Sequence, residues 1–261
     1  MSIETQPRSV SQTEQYEKCG WRFYLQRVER VEPRPAAWSI HGRAFHSAAE
    51  AFERADRAMG AEEAVAIFSD EYEDETNKAL DKESNTDHWL SAGRYSGGED
   101  IERRYALGQQ QTARYVEWAT ENRPAIWTTP DGTPGLELYF MVELGGVKVR
   151  GYIDQLVTVK DAVRPRDLKT GSTKSRFQLQ TYGIAVRELY DVEVNDADWY
   201  LAKDGRLSRP VKLNQVSADE LGERYAAMDA GVKAGNFPAN PGYDCRFCDV
   251  AHACTFFSSK S

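Results

Sequence analysis

The stretch Val147-Lys-Val-Arg-Gly-Tyr-Ile-Asp-Gln-Leu-Val-Thr-Val-Lys-Asp-Ala-Val-Arg-Pro-Arg-Asp-Leu-Lys169 decides how the chain is read. From Val147 to Val159 it alternates: Val147, Val149, Ile153, Val157 and Val159 take one face, and Lys148, Arg150, Asp154 and Thr158 take the other. Period-two alternation predicts a half-buried strand. Arg164 to Lys169 predicts the returning strand. A two-residue turn at Lys160-Asp161 sets an antiparallel register in which Asp154 faces Asp167. Residues two apart on a strand share a face, so Lys169 stands beside that carboxylate pair and Leu168 points the other way.

Opposed carboxylates repel each other, and a divalent cation between them removes the repulsion. A hard cation held by carboxylates beside an ammonium suits phosphodiester hydrolysis, because metal and lysine together stabilise negative charge developing on a phosphoryl group. The competing reading is a surface hairpin with ordinary charges. An Asp-x-Lys tripeptide is common enough that the decision rests on the remainder of the chain.

The chain has 261 residues, 41% of them hydrophobic, enough to fill one large core or a core with an appended subdomain. It contains no long apolar run and its polar start lacks the regions of a signal peptide, so a cytoplasmic protein without a membrane partner is expected. The net charge of −8 is unevenly spread. Ala61 to Asp87 holds ten acidic residues and two lysines, which accounts for the whole imbalance. Lys160 to Arg176 holds six basic residues and two acidic ones, a surroundings suited to a polyanion. Within it Lys174 and Arg176 are candidates for contact with a DNA backbone.

In chain order, Ser11-Gln-Thr-Glu14 has the form of a capping box and predicts a helix through Cys19 and Phe23. A second helix follows from about Ser39, with Gly42, His46 and Glu50 at four-residue spacing on one face. His46 can therefore reach a common site, with Glu50 as a candidate addition; a lone helical histidine is otherwise a structural residue. An acidic helix is expected over Ala61 to Leu80. Asn85 to Gly98 reads as a loop ending in a Gly-Gly breaker, and Glu99 to Glu121 as a long helix whose Ile101, Tyr105, Tyr115 and Trp118 pack into the core. Leu136 to Leu144 reads as a strand, with Glu137 near its start and a further candidate for the site. After Lys169 a helix from Arg176 to Tyr190 carries Gln178 and Tyr182 on one face near its entry. Strands are expected at Asp198 to Ala202 and Arg209 to Leu213, and a last helix over Ser217 to Ala234.

There are four cysteines, Cys19, Cys245, Cys248 and Cys254. The last three form Cys-x2-Cys-x5-Cys, a spacing that lets thiolates turn toward one ion or cluster. Four thiolates suit an iron–sulfur cluster. Zinc is the alternative, either on the four thiolates or on Cys245, Cys248, His252 and Cys254. With all four cysteines used, the assembly ties the N-terminal helix to the C-terminal tail.

Ser9-x-Ser11, Tyr16-x-x-Cys19-Gly-Trp-Arg-Phe23-Tyr24, Gly42-x-x-x-His46, Gly151-Tyr-Ile-Asp154, Asp167-Leu-Lys169, Gln178-x-x-x-Tyr182 and the cysteine triplet occur in this order. The set resembles the RecB-type branch of the PD-(D/E)xK nuclease superfamily, in particular the four-cysteine CRISPR-associated RecB-like exonucleases and the AddB nuclease domain. The resemblance implies a restriction-endonuclease-like α/β fold, a mixed sheet flanked by helices. It implies Mg²⁺ or Mn²⁺ held by His46, Asp154, Asp167 and the backbone carbonyl of Leu168, with Lys169 as catalytic assistant. It implies DNA positioned by Gln178 and Tyr182, and a [4Fe-4S] cluster on Cys19, Cys245, Cys248 and Cys254.

Two departures stand out: Pro165 lies inside the returning strand, which predicts an edge strand or a bulge, and the acidic stretch Ala61 to Asp87 is an insert. Gly20, where the family often has proline after the first cysteine, changes local turn geometry and no ligand. The expected organisation is a helical N-terminal portion over 1–135, a nuclease core over 136–215 and a helix with the cysteine tail over 216–261. The expected function is metal-dependent cleavage of DNA, preferentially from single-stranded ends, with recombination, repair or CRISPR-adaptation proteins as partners. A DNA-binding accessory with little nuclease activity and an iron–sulfur redox sensor are the alternatives.

Overall fold

Lys160 and Asp161 both have left-handed backbone, with φ of 51° and 64°. They join strand β3 (Val147–Val159) to β4 (Ala162–Lys169). Two successive left-handed residues match the twist of a tight hairpin. The pairing runs from Val159 opposite Ala162 to Gln155 opposite Arg166, and one further step in this register sets Asp154 against Asp167, as expected. The computed structural model describes residues 3–91, 93–171 and 175–257.

Pro165 lies opposite Leu156, and β4 is an interior strand, flanked by β3 and by β5 (Asp196–Leu201). The expectation of an edge or a bulge is overturned. Leu156 turns its N–H to Gly135 O and its carbonyl to Trp127 N, away from β4. The Leu156–Pro165 pair therefore exchanges no hydrogen bonds, and the missing proline N–H leaves no gap there. On the other side, pairing with β5 begins one residue later, with Arg166 opposite Asp198.

The sheet continues through β1 (Ala125–Ile126) beside β3 and β6 (Arg206–Leu207) beside β5. β2 (Leu136–Leu144) also pairs with β3, and β7 (Val211–Lys212) with β5. β4 and β5 run parallel, with helix α6 (Arg176–Tyr190) between them in sequence, whereas β3 with β4 and β5 with β6 are antiparallel. This is the mixed α/β sheet of a restriction-endonuclease-like fold.

The chain divides into two compact units. One comprises the described parts of Met1–Arg34, Phe140–Gly151 and Val216–Ser261; the other comprises those of Pro35–Tyr139 and Tyr152–Gln215. In the latter, α3 (Ala37–Arg54), α4 (Ala61–Lys82) and α5 (Gly97–Asn122) close on a core that includes Phe45, Phe52, Phe68, Tyr115, Leu168 and Tyr200. Ile101, Tyr105 and Trp118 pack against it from partly buried positions.

Helix α5 opens on the Gly97-Gly98 pair, which the sequence pattern places at the end of the preceding loop. Ser96 caps the helix, its hydroxyl accepting from Glu99 N at 3.3 Å while its own N–H donates to the Glu99 carboxylate at 2.8 Å. A Cβ at Gly97 would fall 1.9 Å from Thr86 O, so this glycine serves close packing.

In the other unit the expected first helix is two, α1 (Val10–Lys18) and α2 (Gly20–Arg27), separated by the extended backbone of Cys19. The cap is Ser9, whose hydroxyl accepts from Gln12 N, and not Ser11. Helix α7 (Ala218–Lys233) lies within the expected span, and Ser217 caps it. Phe23 packs with Met228 and Val232, and buried Arg8 donates to Asp229 at 2.8 Å.

Candidate active site

Asp154 and Asp167 are 8% and 1% exposed. The alternation of β3 predicts a solvent face for Asp154, but Ile153 to Val157 is buried on both faces. The Asp154 carboxylate accepts from Leu168 N at 2.7 Å, which locks its orientation across the hairpin. Asp167 is held instead by its own strand neighbour: Lys169 Nζ stands 3.0 Å from Oδ1 and 2.8 Å from Oδ2. Lys169 also donates to Gln178 Oε1 at 3.2 Å, and Gln178 Nε2 donates to the Tyr182 hydroxyl at 2.8 Å. Ser175 begins α6 by accepting from Gln178 N at 3.0 Å, so the helix cap sets the position of this relay.

His46 arrives from the middle of α3. Its Nε2 lies 3.0 Å from Leu168 O, and its Nδ1 lies 3.4 Å from Glu137 Oε1 and 3.6 Å from Asp154 Oδ2. One ligand atom each from His46, Glu137 and Asp154 lies within 4.8 Å of the others. Of the two added acidic candidates, Glu137 joins the cluster. Glu50 does not: it accepts from Arg54 Nε at 2.7 Å, one turn along the helix. Arg54 in turn donates to Leu136 O at 3.0 Å, next to Glu137. That arginine was missed, although its i,i+4 spacing from Glu50 was visible in the sequence.

Tyr182 is buried, with its hydroxyl engaged by Gln178. Arg176 is exposed at the first turn of α6, and Lys174 lies outside the described residues.

The electrostatics point to a missing positive charge. Burial, reinforced by Asp167 and Glu137 and opposed by His46, pushes the Asp154 carboxyl up to about 7. Asp167 is raised by burial against the pull of Lys169. Burial alone would lower His46, but Asp154 and Glu137 outweigh it and raise the imidazole to about 9. The histidine proton therefore does part of the neutralising that a divalent cation would do. Carboxylate oxygens and one imidazole form a donor set that fits Mg²⁺ or Mn²⁺.

The four cysteines all belong to the other unit and are free thiols. Cys19 and Cys248 both act on the Arg22 guanidinium, and Cys254 acts on Cys248. Asp249 ties the tail down by accepting from Arg22 Nε at 3.0 Å and from Gln26 Nε2 at 2.5 Å. Gly20 is required here: a Cβ would stand 2.7 Å from Pro238 Cδ. Among the described residues no three cysteine sulfurs lie within 4.8 Å of one another.

Buried carboxylates with an adjoining lysine on a mixed sheet are the arrangement that a metal-dependent nuclease requires. The chain belongs to the PD-(D/E)XK nuclease superfamily, whose model matches residues 7–255. It is similar to the Gene 69 protein of Mycobacterium phage D29, with 38% identity over 96% of this chain and 97% of the relative. It is likewise similar to the Gene 69 protein of Mycobacterium phage L5, with 37% identity over 96% of each. No described helix is long and apolar enough to cross a membrane.

Proposed function

We propose that the protein is a deoxyribonuclease that degrades DNA from single-stranded ends, using His46, Glu137, Asp154 and Asp167 to hold Mg²⁺ or Mn²⁺. The observation that carries this reading is the convergence of His46, Glu137 and Asp154 beside the Asp167–Lys169–Gln178 relay. When bound, the cation supplies a Lewis acid for the phosphoryl oxygen and acidifies water. The chain's own residues do the rest. Lys169 places its ammonium where charge develops on the phosphoryl group; Asp167 and Gln178 fix that ammonium, and Tyr182 fixes Gln178. His46 would hold the cation through an unprotonated imidazole nitrogen, alongside the carboxylates of Glu137, Asp154 and Asp167. Arg176, in the first turn of α6, is assigned to the DNA backbone, as is Lys174, which lies outside the described residues.

The four cysteines are assigned to a four-iron cluster. Four cysteines in the order of the four-cysteine nucleases that the chain resembles support the cluster over zinc, and the Arg22 cation beside Cys19 and Cys248 suits its negative charge. The cluster is structural in this reading. Recombination or repair proteins are the partners that such an activity serves.

The test is digestion of end-labelled single-stranded and duplex DNA by anaerobically purified protein with Mn²⁺, Mg²⁺ or chelator, beside Asp154→Ala. Metal-dependent release of terminal label that is lost in Asp154→Ala supports the reading. A folded, cluster-loaded protein that cleaves nothing sinks it and leaves a DNA-binding accessory.

A further inference from the structure

Tyr139 and Tyr152 are 44% and 57% exposed in the middle of paired strands. Their ring centroids are 5.3 Å apart with planes tilted by 59°. Tyr139 is two residues from Glu137 on β2, and Tyr152 is two residues from Asp154 on β3. Leu138, Phe140 and Ile153, at the alternate positions, are buried in the opposite direction. Side-chain alternation thus sets Tyr152 on the face of β3 that carries the Asp154 carboxylate, and the ring contact holds Tyr139 beside it.

We propose that Tyr139 and Tyr152 form a base-stacking platform that holds a single-stranded DNA end beside the metal-binding carboxylates. This deepens the nuclease reading and rests on it for the identity of the substrate. Two residues of strand span about 7 Å, roughly two nucleotides at the 3.4 Å stacking repeat. A base on these rings therefore belongs to the strand whose phosphate reaches the carboxylates.

Aromatic rings also solve a charge problem. A cluster of three carboxylates repels phosphate, whereas stacking grips the uncharged bases and needs no basic surface. Duplex DNA keeps its base faces inside the helix. The platform consequently selects single strands and frayed ends, a preference that the carboxylates and Lys169 cannot create by themselves. A cross-strand tyrosine pair that only steadies the hairpin would be indifferent to DNA, and the experiment separates the two roles.

Binding is measured with the full-length, cluster-loaded protein in chelator, which stops cleavage. Anisotropy of a labelled oligothymidine reports affinity, and a 2-aminopurine near its end reports stacking. Wild type is expected to quench the 2-aminopurine. Tyr139→Ala with Tyr152→Ala should weaken single-strand binding by about 10- to 100-fold and abolish the quenching, while the double Phe variant should restore both. With wild-type protein, a strand made abasic near its end should bind about as weakly as the intact strand binds the double Ala variant.

Equal binding of intact and abasic strands, or of wild type and the double Ala variant, overturns the platform, and the abasic strand decides even if that variant is unstable. The nuclease reading fails separately. Cleavage with tyrosine-independent binding removes only the platform, and tyrosine-dependent binding without cleavage at any metal removes only the nuclease.

Discussion

Glu137 has a φ of 43° inside a strand, in a region that glutamate enters only under constraint. The contact of Arg54 with the preceding carbonyl, at 3.0 Å, supplies that constraint, and the outcome is a carboxylate aimed at His46. The strain is tied to function, which gives a prediction in which stability separates two variants that activity does not. In chelator, Glu137→Gly should be more stable to urea than Glu137→Ala by about 1 kcal/mol, while both lose metal-dependent cleavage. Lys169→Ala should lower cleavage at saturating Mn²⁺ by at least about 10²-fold with the circular dichroism spectrum unchanged. His41, buried and facing Arg104, is held down to about 4. Its neutral form is the folded form, so the stability it permits is complete above the unfolded value near 6.5 and is lost as pH falls toward 4. Between pH 7 and pH 5 the loss should be about 2 kcal/mol, and denaturation of His41→Gln across this range should lack that component.

At the scale of elements, the glycine turn between β2 and β3 is built for contact with α7. Gly145 has a φ of 59°, and a Cβ there would lie 2.2 Å from Gly222 O; a Cβ on Gly222 would lie 2.7 Å from Gly145 N. Backbone meets backbone, so neither side can yield by a rotamer change. Gly146 has a φ of 73° with open space around it. Gly222→Ala should therefore cost about 1–3 kcal/mol by overpacking, in a position whose own backbone is helical. Gly146→Ala should cost only about 1 kcal/mol through its dihedral angles. Urea melts of the two variants distinguish packing from conformational strain, and equal losses would show that the close approach is relieved by a small shift of the helix.

At the scale of the molecule, the cysteines and the acidic cluster lie in different compact units. A cluster that joins Cys19 to the tail closes a loop of more than two hundred residues and should contribute on the order of 5 kcal/mol through the unfolded chain's entropy. Cys248→Ala should accordingly raise hydrogen exchange through α1, α2 and the tail. Exchange in the core of α3, α4 and α5 should change less. A stable, cluster-free Cys248→Ala with wild-type exchange would show that the hydrogen bonds of Asp249 and the packing of Phe23 hold this unit unaided.

The hairpin and its register were legible because both are local: alternation chooses the faces, a two-residue turn leaves one pairing, and these features span only Val147 to Lys169. The cysteine spacing and the helix following Ser217 were legible for the same reason. Gly97-Gly98 was misread because only the approach of Thr86 O reveals why glycine starts that helix. Tertiary structure alone decided that Glu137 meets His46 and Asp154, and that Gln178 reaches back from α6 to Lys169. The sequence by itself determined the strands, their pairing and the residue types available for chemistry. Which carboxylates gather around His46 depended on packing between segments as far apart as His46 and Glu137, where no periodicity extends.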